Sequence, residues 1–144
     1  MARKNMVQVA LLKWEEAEPI AAPIRFAIFV EQRQGGGIEL DELDKDSVHA
    51  VAYDDEHKAI GTARLLPSGQ VGRMAVVKEW RRRGVGAALL QGLTEEARKR
   101  GYKSLAISAP LQAAEFYRSQ GFVAEGKVQQ VDGALEQAMR KPLL

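Results

Sequence analysis

The chain has 144 residues, 46% hydrophobic and 28% charged, the length and balance of one globular domain with a filled core. Its 21 basic and 19 acidic side chains leave a net charge of +2, a thin surplus that argues against a nucleic-acid partner. The lack of cysteine excludes a disulfide scaffold, a thiol nucleophile, an iron–sulfur cluster and a thiolate zinc site, and two histidines, His49 and His57, are too few for a His-rich metal site.

Met6–Leu12 reads as a first strand. It is too short for a membrane span, meets Lys13 and two glutamates, and lacks a small-residue cleavage site, so a cytoplasmic protein off the membrane is expected. Glu15–Gln32 reads as a helix with Ile20, Ile24, Ala27 and Ile28 on one face. Pro19 and Pro23 fall early in it, and Pro23 suits the first turn of a regular helix that begins there. Arg33–Asp46 opens with Gly35-Gly36-Gly37, a hinge, and continues as an acidic surface loop. Strands follow at Val48–Tyr53, Ala59–Leu66 and Gln70–Val77, joined by turns at Asp54-Asp55-Glu56 and Pro67-Ser68-Gly69, and read as an antiparallel meander.

Gly84–Arg100 is the clearest helix, with Val85, Leu89, Leu93 and Ala97 recurring every four residues. Glu95/Lys99 and Glu96/Arg100 are i,i+4 pairs on its wet side, and Gly101 stops it. Ser104–Ser108 is a short strand, and Pro110 opens a helix that Gly121 ends. Phe122–Gln130 and Ala134–Arg140 flank Asp132-Gly133, a hairpin signal. The order predicts a mixed α/β layer, one sheet with helices on its faces. No repeat or linker divides residues 1–144, which read as a single domain.

The stretch VGRMAVVKEWRRRGVGAALL, from Val71 to Leu90, runs strand, connector, then Arg81-Arg82-Arg83-Gly84-Val85-Gly86 into a helix. A glycine turn at a helix start suits an anion, since free N–H groups point outward and the helix dipole adds positive potential. Leu89 stands where a dinucleotide fingerprint needs glycine, and no Gly-Lys-Ser/Thr exists for a mononucleotide loop. Two readings stand for the bare R-x-x-G-x-G turn: a diphosphate cradle, or a solvated basic helix start with packing glycines.

Met74–Gly86, MAVVKEWRRRGVG, resembles the L-A-V-x-P-E-Y-R-G-K-G-I-G signature of the GNAT acyltransferase superfamily. Phe116–Phe122, FYRSQGF, resembles its second signature, F-Y-x-x-x-G-F, at the usual spacing. Ile24–Gln32, IRFAIFVEQ, with the following ELDELDKDSVH, resembles a bacterial subgroup with an R-x-x-V-F-V-x-E-Q opening. The resemblance covers nearly the whole chain. It implies a mixed sheet of about seven strands, helices on both faces and splayed central parallel strands.

The resemblance also implies a site. Acetyl-CoA is the expected co-substrate and a primary amine the acceptor. Met74, Ala75 and Val76 are expected to offer backbone amides to the pantetheine arm. Arg81, Arg82, Arg83, Gly84, Val85, Gly86 and Ala87 are expected to hold the pyrophosphate. Tyr117 is placed as general acid to the departing thiolate, since a phenol is protonated at neutral pH. Its neighbour Phe116 reads as core, and Gln112 as a contact to the cofactor arm. With no cysteine, the amine attacks the thioester directly. Glu31, Asp41, Asp44 and His49 are the candidate bases; Glu31 reads equally as a helix-end carboxylate, and His49 as a strand histidine bonded to a neighbour. Arg64 and Arg73 lie mid-strand, where a lone charge is costly. They read as partners of carboxylates such as Glu31 or Asp41, the alternative being an anionic part of a substrate or of CoA. A non-catalytic acyl-CoA sensor is the second functional reading, and an RNA-binding accessory protein, resting on the arginine triplet alone, the third. The exposed edges of the last hairpin offer a route to a homodimer.

Overall fold

The computed structural model describes residues 7–32 and 40–143, with backbone alone for residues 29–32. The expected hinge Gly35-Gly36-Gly37 lies outside the described residues. Four strands, β1 (Gln8–Leu12), β2 (Val48–Tyr53), β3 (Ala59–Leu65) and β4 (Val71–Val76), form an antiparallel sheet in that order. β5 (Ser104–Pro110) and β6 (Val123–Ala124) flank β8 (Ala134–Pro142), and β7 (Gln129–Val131) also pairs with β8. The parallel strands β4 and β5 touch through one bridge, Gln70 with Ala106, where the Ala106 N–H donates to Gly69 C=O at 3.0 Å. Beyond it they part, which is the expected splay. The eighth strand arises because Phe122–Gln130 breaks at Gly126, whose φ of 77° leaves the β region.

Alternation along the strands puts consecutive side chains on opposite faces. Val48, Ala50, Ala52, Ala63 and Leu65 join the core with Val85, Leu89, Leu90, Leu93 and Ala97 of α2 (Val85–Lys99). Ala75 on the other face packs against Ile24 and Ile28 of α1 (Trp14–Gln32). The sheet therefore carries a helix on each face. The buried stripe of α1 is Ala17, Ala21, Ile24, Arg25 and Ile28, whereas Ala27 is exposed and Ile20 half-buried. α1 also starts at Trp14, not at Pro23. Each internal proline removes one helical hydrogen bond, but the stripe against the sheet spans both prolines and holds the helix through them.

The Glu96/Arg100 pair forms, Nε to Oε2 at 2.8 Å. The hairpin turn has Asp132 at φ 49° and Gly133 at φ 83°, both left-handed as a two-residue type I′ turn requires. The helix expected from Pro110 divides into a 3₁₀ turn at Leu111–Ala113 and α3 (Ala114–Ser119), which packs on β5 and β6. Among the described residues no helix is long and apolar enough to cross a membrane.

The acidic segment departs most from expectation. Glu42–Asp46 is a 3₁₀ turn docked on α1, and Asp41 caps it by accepting from the Leu43 N–H at 2.9 Å. Asp44 points inward and is fully buried. Its carboxylate accepts from Arg25 at 3.0 Å and from Arg64 at 3.1 Å. Asp41 accepts from Arg64 at 2.7 Å and from Arg73 at 2.5 Å. The segment is thus no solvated loop: three arginines on α1, β3 and β4 draw two of its carboxylates into the protein.

Candidate active site

β4 has a bulge. Thr62 pairs with Ala75 and Arg64 with Gly72, so two steps on β3 face three on β4. The extra residue leaves Arg73 at φ 50°, a left-handed conformation uncommon for a non-glycine residue. Past the bulge, the Val77 N–H donates to Ile60 C=O on β3 at 3.0 Å. Peptide directions alternate, so the Ala75 N–H also faces β3, whereas those of Met74 and Val76 face the open edge toward β5. Of the three amides expected there, the Ala75 N–H is turned to β3 and the other two are not.

Tyr117 is buried, 6% exposed, and its O–H donates to the Met74 sulfur at 3.8 Å. A thioether is a weak acceptor, so the phenol O–H is only loosely engaged beside the β4 edge. Burial pushes its pKa up to about 12. The phenol therefore stays protonated throughout the neutral range and is able to donate. Phe116 is not core: it is 36% exposed, edge-on to Tyr117 at 5.0 Å between ring centroids. Gln112 is exposed on the 3₁₀ turn before α3.

Gly84 caps α2 at φ 84° and, having no side chain, offers no acceptor to the first amides of the helix. Arg82 at φ 61° is also left-handed. A Cβ on Gly84 meets nothing within 4 Å, whereas one on Gly86 meets Phe116 Cζ at 3.2 Å and Met74 Sδ at 3.5 Å. The two glycines thus serve different ends: Gly84 its backbone angle, Gly86 the close seat of α3 and β4. Arg81 sends Nε to the Val76 carbonyl at 3.1 Å, which ties the turn to the strand edge. The Arg83 guanidinium lies 5.1 Å above the Trp80 ring, and Arg82 and Arg83 are exposed. Replacing Gly84 with valine is expected to cost about 1–2 kcal/mol from the left-handed angle, seen as a lower urea midpoint at unchanged slope.

Asp41, Asp44 and His49 hydrogen-bond within the arginine–aspartate cluster, and Tyr117 to Met74. The Glu31 side chain is outside the described residues. Asp44 and Asp41 are bound by arginines. Burial pushes the Asp41 carboxyl up, but hydrogen bonds from Arg73 and Arg64, with their charges, hold it below its ordinary value. His49 is fully buried on β2, its Nε2 2.8 Å from the Asp44 carbonyl oxygen and its ring 4.7 Å from that of Trp14. The strand-histidine reading fits this geometry. Burial lowers its pKa, with the charge of Arg25 adding to this against the backbone bond to Asp44. A depressed value in the folded state means stability present above the ordinary 6.5 and lost as pH falls below it. The His49→Gln variant is expected to lose less stability than the parent between pH 7 and 5.5, by urea titration at both pH values.

The residue missed in the sequence is Arg25, 1% exposed, with its guanidinium 5.2 Å from the Trp14 ring and bonded to Asp44. Its signal was present: a charge set inside the apolar stripe of α1. A separate groove of about 850 Å³, lined in part by Trp14, Glu15, Asp46 and Arg100, holds no residue of the two signatures Met74–Gly86 and Phe116–Phe122.

A profile described as an acetyltransferase (GNAT) domain matches residues 29–143. The chain belongs to the GNAT acetyltransferase family. An uncharacterized N-acetyltransferase of Bacillus subtilis, YjcF, is 32% identical over 120 residues, 81% of this chain and 85% of that protein. The crystal structure of a candidate N-acetyltransferase from Lactobacillus plantarum is 31% identical, with a TM-score of 0.83 over 97% of this chain and 100% of that one. An acyl-CoA N-acyltransferase from Pseudomonas aeruginosa shares the fold at 22% identity, with a TM-score of 0.80 over 94% and 99% of the two chains. The GNAT fold implies a CoA derivative as co-substrate and an amine as acceptor. The residues present fit such a ligand: two strand amides at an open edge, a helix start without a capping side chain, and a protonated phenol over the edge.

Proposed function

We propose that this GNAT protein is an N-acetyltransferase that moves an acetyl group from acetyl-CoA to a primary amine by direct attack in a ternary complex. The observation that carries it is the position of the Tyr117 phenol, buried with its O–H on the Met74 sulfur beside the β4 edge. In the proposed reaction the amine nitrogen bonds to the thioester carbon, the carbon–sulfur bond breaks, and Tyr117 gives its proton to the leaving thiolate. A strand amide, of Met74 or Val76, stabilises the developing oxyanion, a contact worth roughly 2.7–4 kcal/mol. The pyrophosphate rests on the amides of residues 82–87, with Arg82 and Arg83 adding charge. Of the bases expected, Glu31 is retained, acting directly or through water, since His49 is closed to solvent.

The same reading takes residues 1–144 as one acetyltransferase domain, working in the cytoplasm and belonging to the subgroup that the R-x-x-V-F-V-x-E-Q opening marks. It includes a homodimer paired through the β7–β8 hairpin, where Val131 and Leu135 are exposed. Neither nucleic acid nor membrane is among the proposed partners. The competing reading, an acyl-CoA sensor of the same fold, shares the binding site and lacks turnover.

A thermal-shift series with acetyl-CoA, CoA, longer acyl-CoAs, ATP, NAD and a short RNA tests the ligand. A compound at about 100 times its Kd adds about 2.7 kcal/mol of stability, a rise of several degrees. Selective stabilisation by acetyl-CoA is expected. A shift with RNA and none with any CoA species would overturn the proposal.

A further inference from the structure

We propose that the acceptor amine carries an oxyanion, a carboxylate or a phosphate, and that Arg73 binds it at the open end of the buried arginine–aspartate cluster. The inference rests on the acetyltransferase reading and names its substrate class.

The charges in the cluster do not balance. Arg25, Arg64 and Arg73 share two carboxylates, Asp41 and Asp44. Among the described residues one positive charge is left over, in a place where surplus charge is costly. The hydrogen bonds fall short too. Among the described residues, the Nε atoms of all three arginines and Nη2 of Arg25 are buried and have no partner. A cluster serving only to dock the 3₁₀ turn needs neither the third guanidinium nor idle donors.

The cluster is closed at one end and open at the other. The Arg25 and Asp44 side chains are sealed, whereas those of Arg73 and Asp41 are 17% and 30% exposed. An anion entering there meets Arg73 first, with Arg64 behind it on the same Asp41 carboxylate. A guanidinium fork suits either oxyanion, since both accept two parallel hydrogen bonds.

The position relative to the reacting atoms is the second argument. Arg73 directly precedes Met74, whose sulfur takes the Tyr117 hydroxyl. The two neighbours face apart, Met74 toward Tyr117 and Arg73 toward Asp41. An acceptor held by its anion on Arg73 thus approaches the β4 edge from the α1 side, opposite the phenol. The left-handed backbone at Arg73 is the kind of strain that collects at ligand sites.

The test is steady-state thiol release on matched amine pairs: amino acids against their amides, and amino-sugar phosphates against the free amino sugars. The first arm reads carboxylate, the second phosphate. In at least one arm the anionic member is expected to exceed its neutral partner in kcat/KM by about 100-fold. Arg73→Gln should shrink that preference below about 10-fold, with Arg73→Lys between the two, since a lysine keeps charge and loses the fork. Acetyl-CoA affinity, by calorimetry, should stay unchanged in both variants. Equal or better turnover of the neutral member in every pair overturns the inference while leaving the acetyltransferase reading intact. So does an Arg73→Gln variant that slows both members alike, or a protein that binds acetyl-CoA and acetylates no anionic amine. Failure of the parent protein to bind acetyl-CoA removes the acetyltransferase reading, and this inference with it.

Discussion

Replacing Asp44 with asparagine is expected to lower folding stability by about 3–5 kcal/mol, the cost of breaking a buried charge pair on one side. The side chain is fully buried and accepts from Arg25 and Arg64. Its other oxygen takes the Asp41 N–H at 3.0 Å, closing the capping box of the 3₁₀ turn. Asparagine keeps the size and loses the charge, so Arg25 loses its carboxylate and Arg64 and Arg73 are left to share Asp41. Against a total stability of about 5–15 kcal/mol, that is a large fraction. Urea titration at pH 7 measures it; a loss under about 1 kcal/mol would mean that the cluster is screened by solvent like a surface pair. The Arg73 variants should cost much less, because Asp41 keeps Arg64 and the site is half-open.

The second large effect is on rate. Tyr117→Phe is expected to lower kcat by about 100-fold or more, the usual contribution of a general acid, with acetyl-CoA affinity within about twofold. Phenylalanine keeps the ring that packs edge-on against Phe116 and Phe122. It removes only an O–H whose partner is a weak sulfur acceptor. Stability should therefore hardly change, which separates lost chemistry from lost fold. An unaltered kcat would remove Tyr117 from the reaction and favour release of an unprotonated thiolate to water. A chain with no turnover before or after the change is the sensor of the competing reading.

How much of this was legible in the sequence depends on the range of the interaction. The α2 helix was readable because its signal is local: Val85, Leu89, Leu93 and Ala97 recur at helical spacing and all are buried. The Asp132-Gly133 turn was readable because both residues tolerate the left-handed angles that they adopt. The acidic segment was not. Asp41 and Asp44 carry the local signature of a solvated loop, and their arginines stand 19 to 32 positions away. The bulge at Arg73 left no mark either, because it arises from a register change against β3 and not from a residue preference. Pro19 and Pro23 misplaced the start of α1 because local rules price the lost hydrogen bonds but not the sheet beneath. In the candidate site, Tyr117 and the Gly84 turn were visible through the two motifs. The division of labour between Gly84 and Gly86, and the tie from Arg81 to Val76, needed the packing of α3 and β4.

The most direct measurement is a mass balance on one reaction mixture: acetyl-CoA, a broad set of primary amines, and the protein. Free thiol and N-acetylated amine are followed together, and the chain has no cysteine to add thiol background. The expected result is one new amide for each thiol released, with both rising together and both suppressed by Tyr117→Phe. Thiol release without any amide, or no release from a protein saturated with acetyl-CoA, would contradict acetyl transfer to an amine.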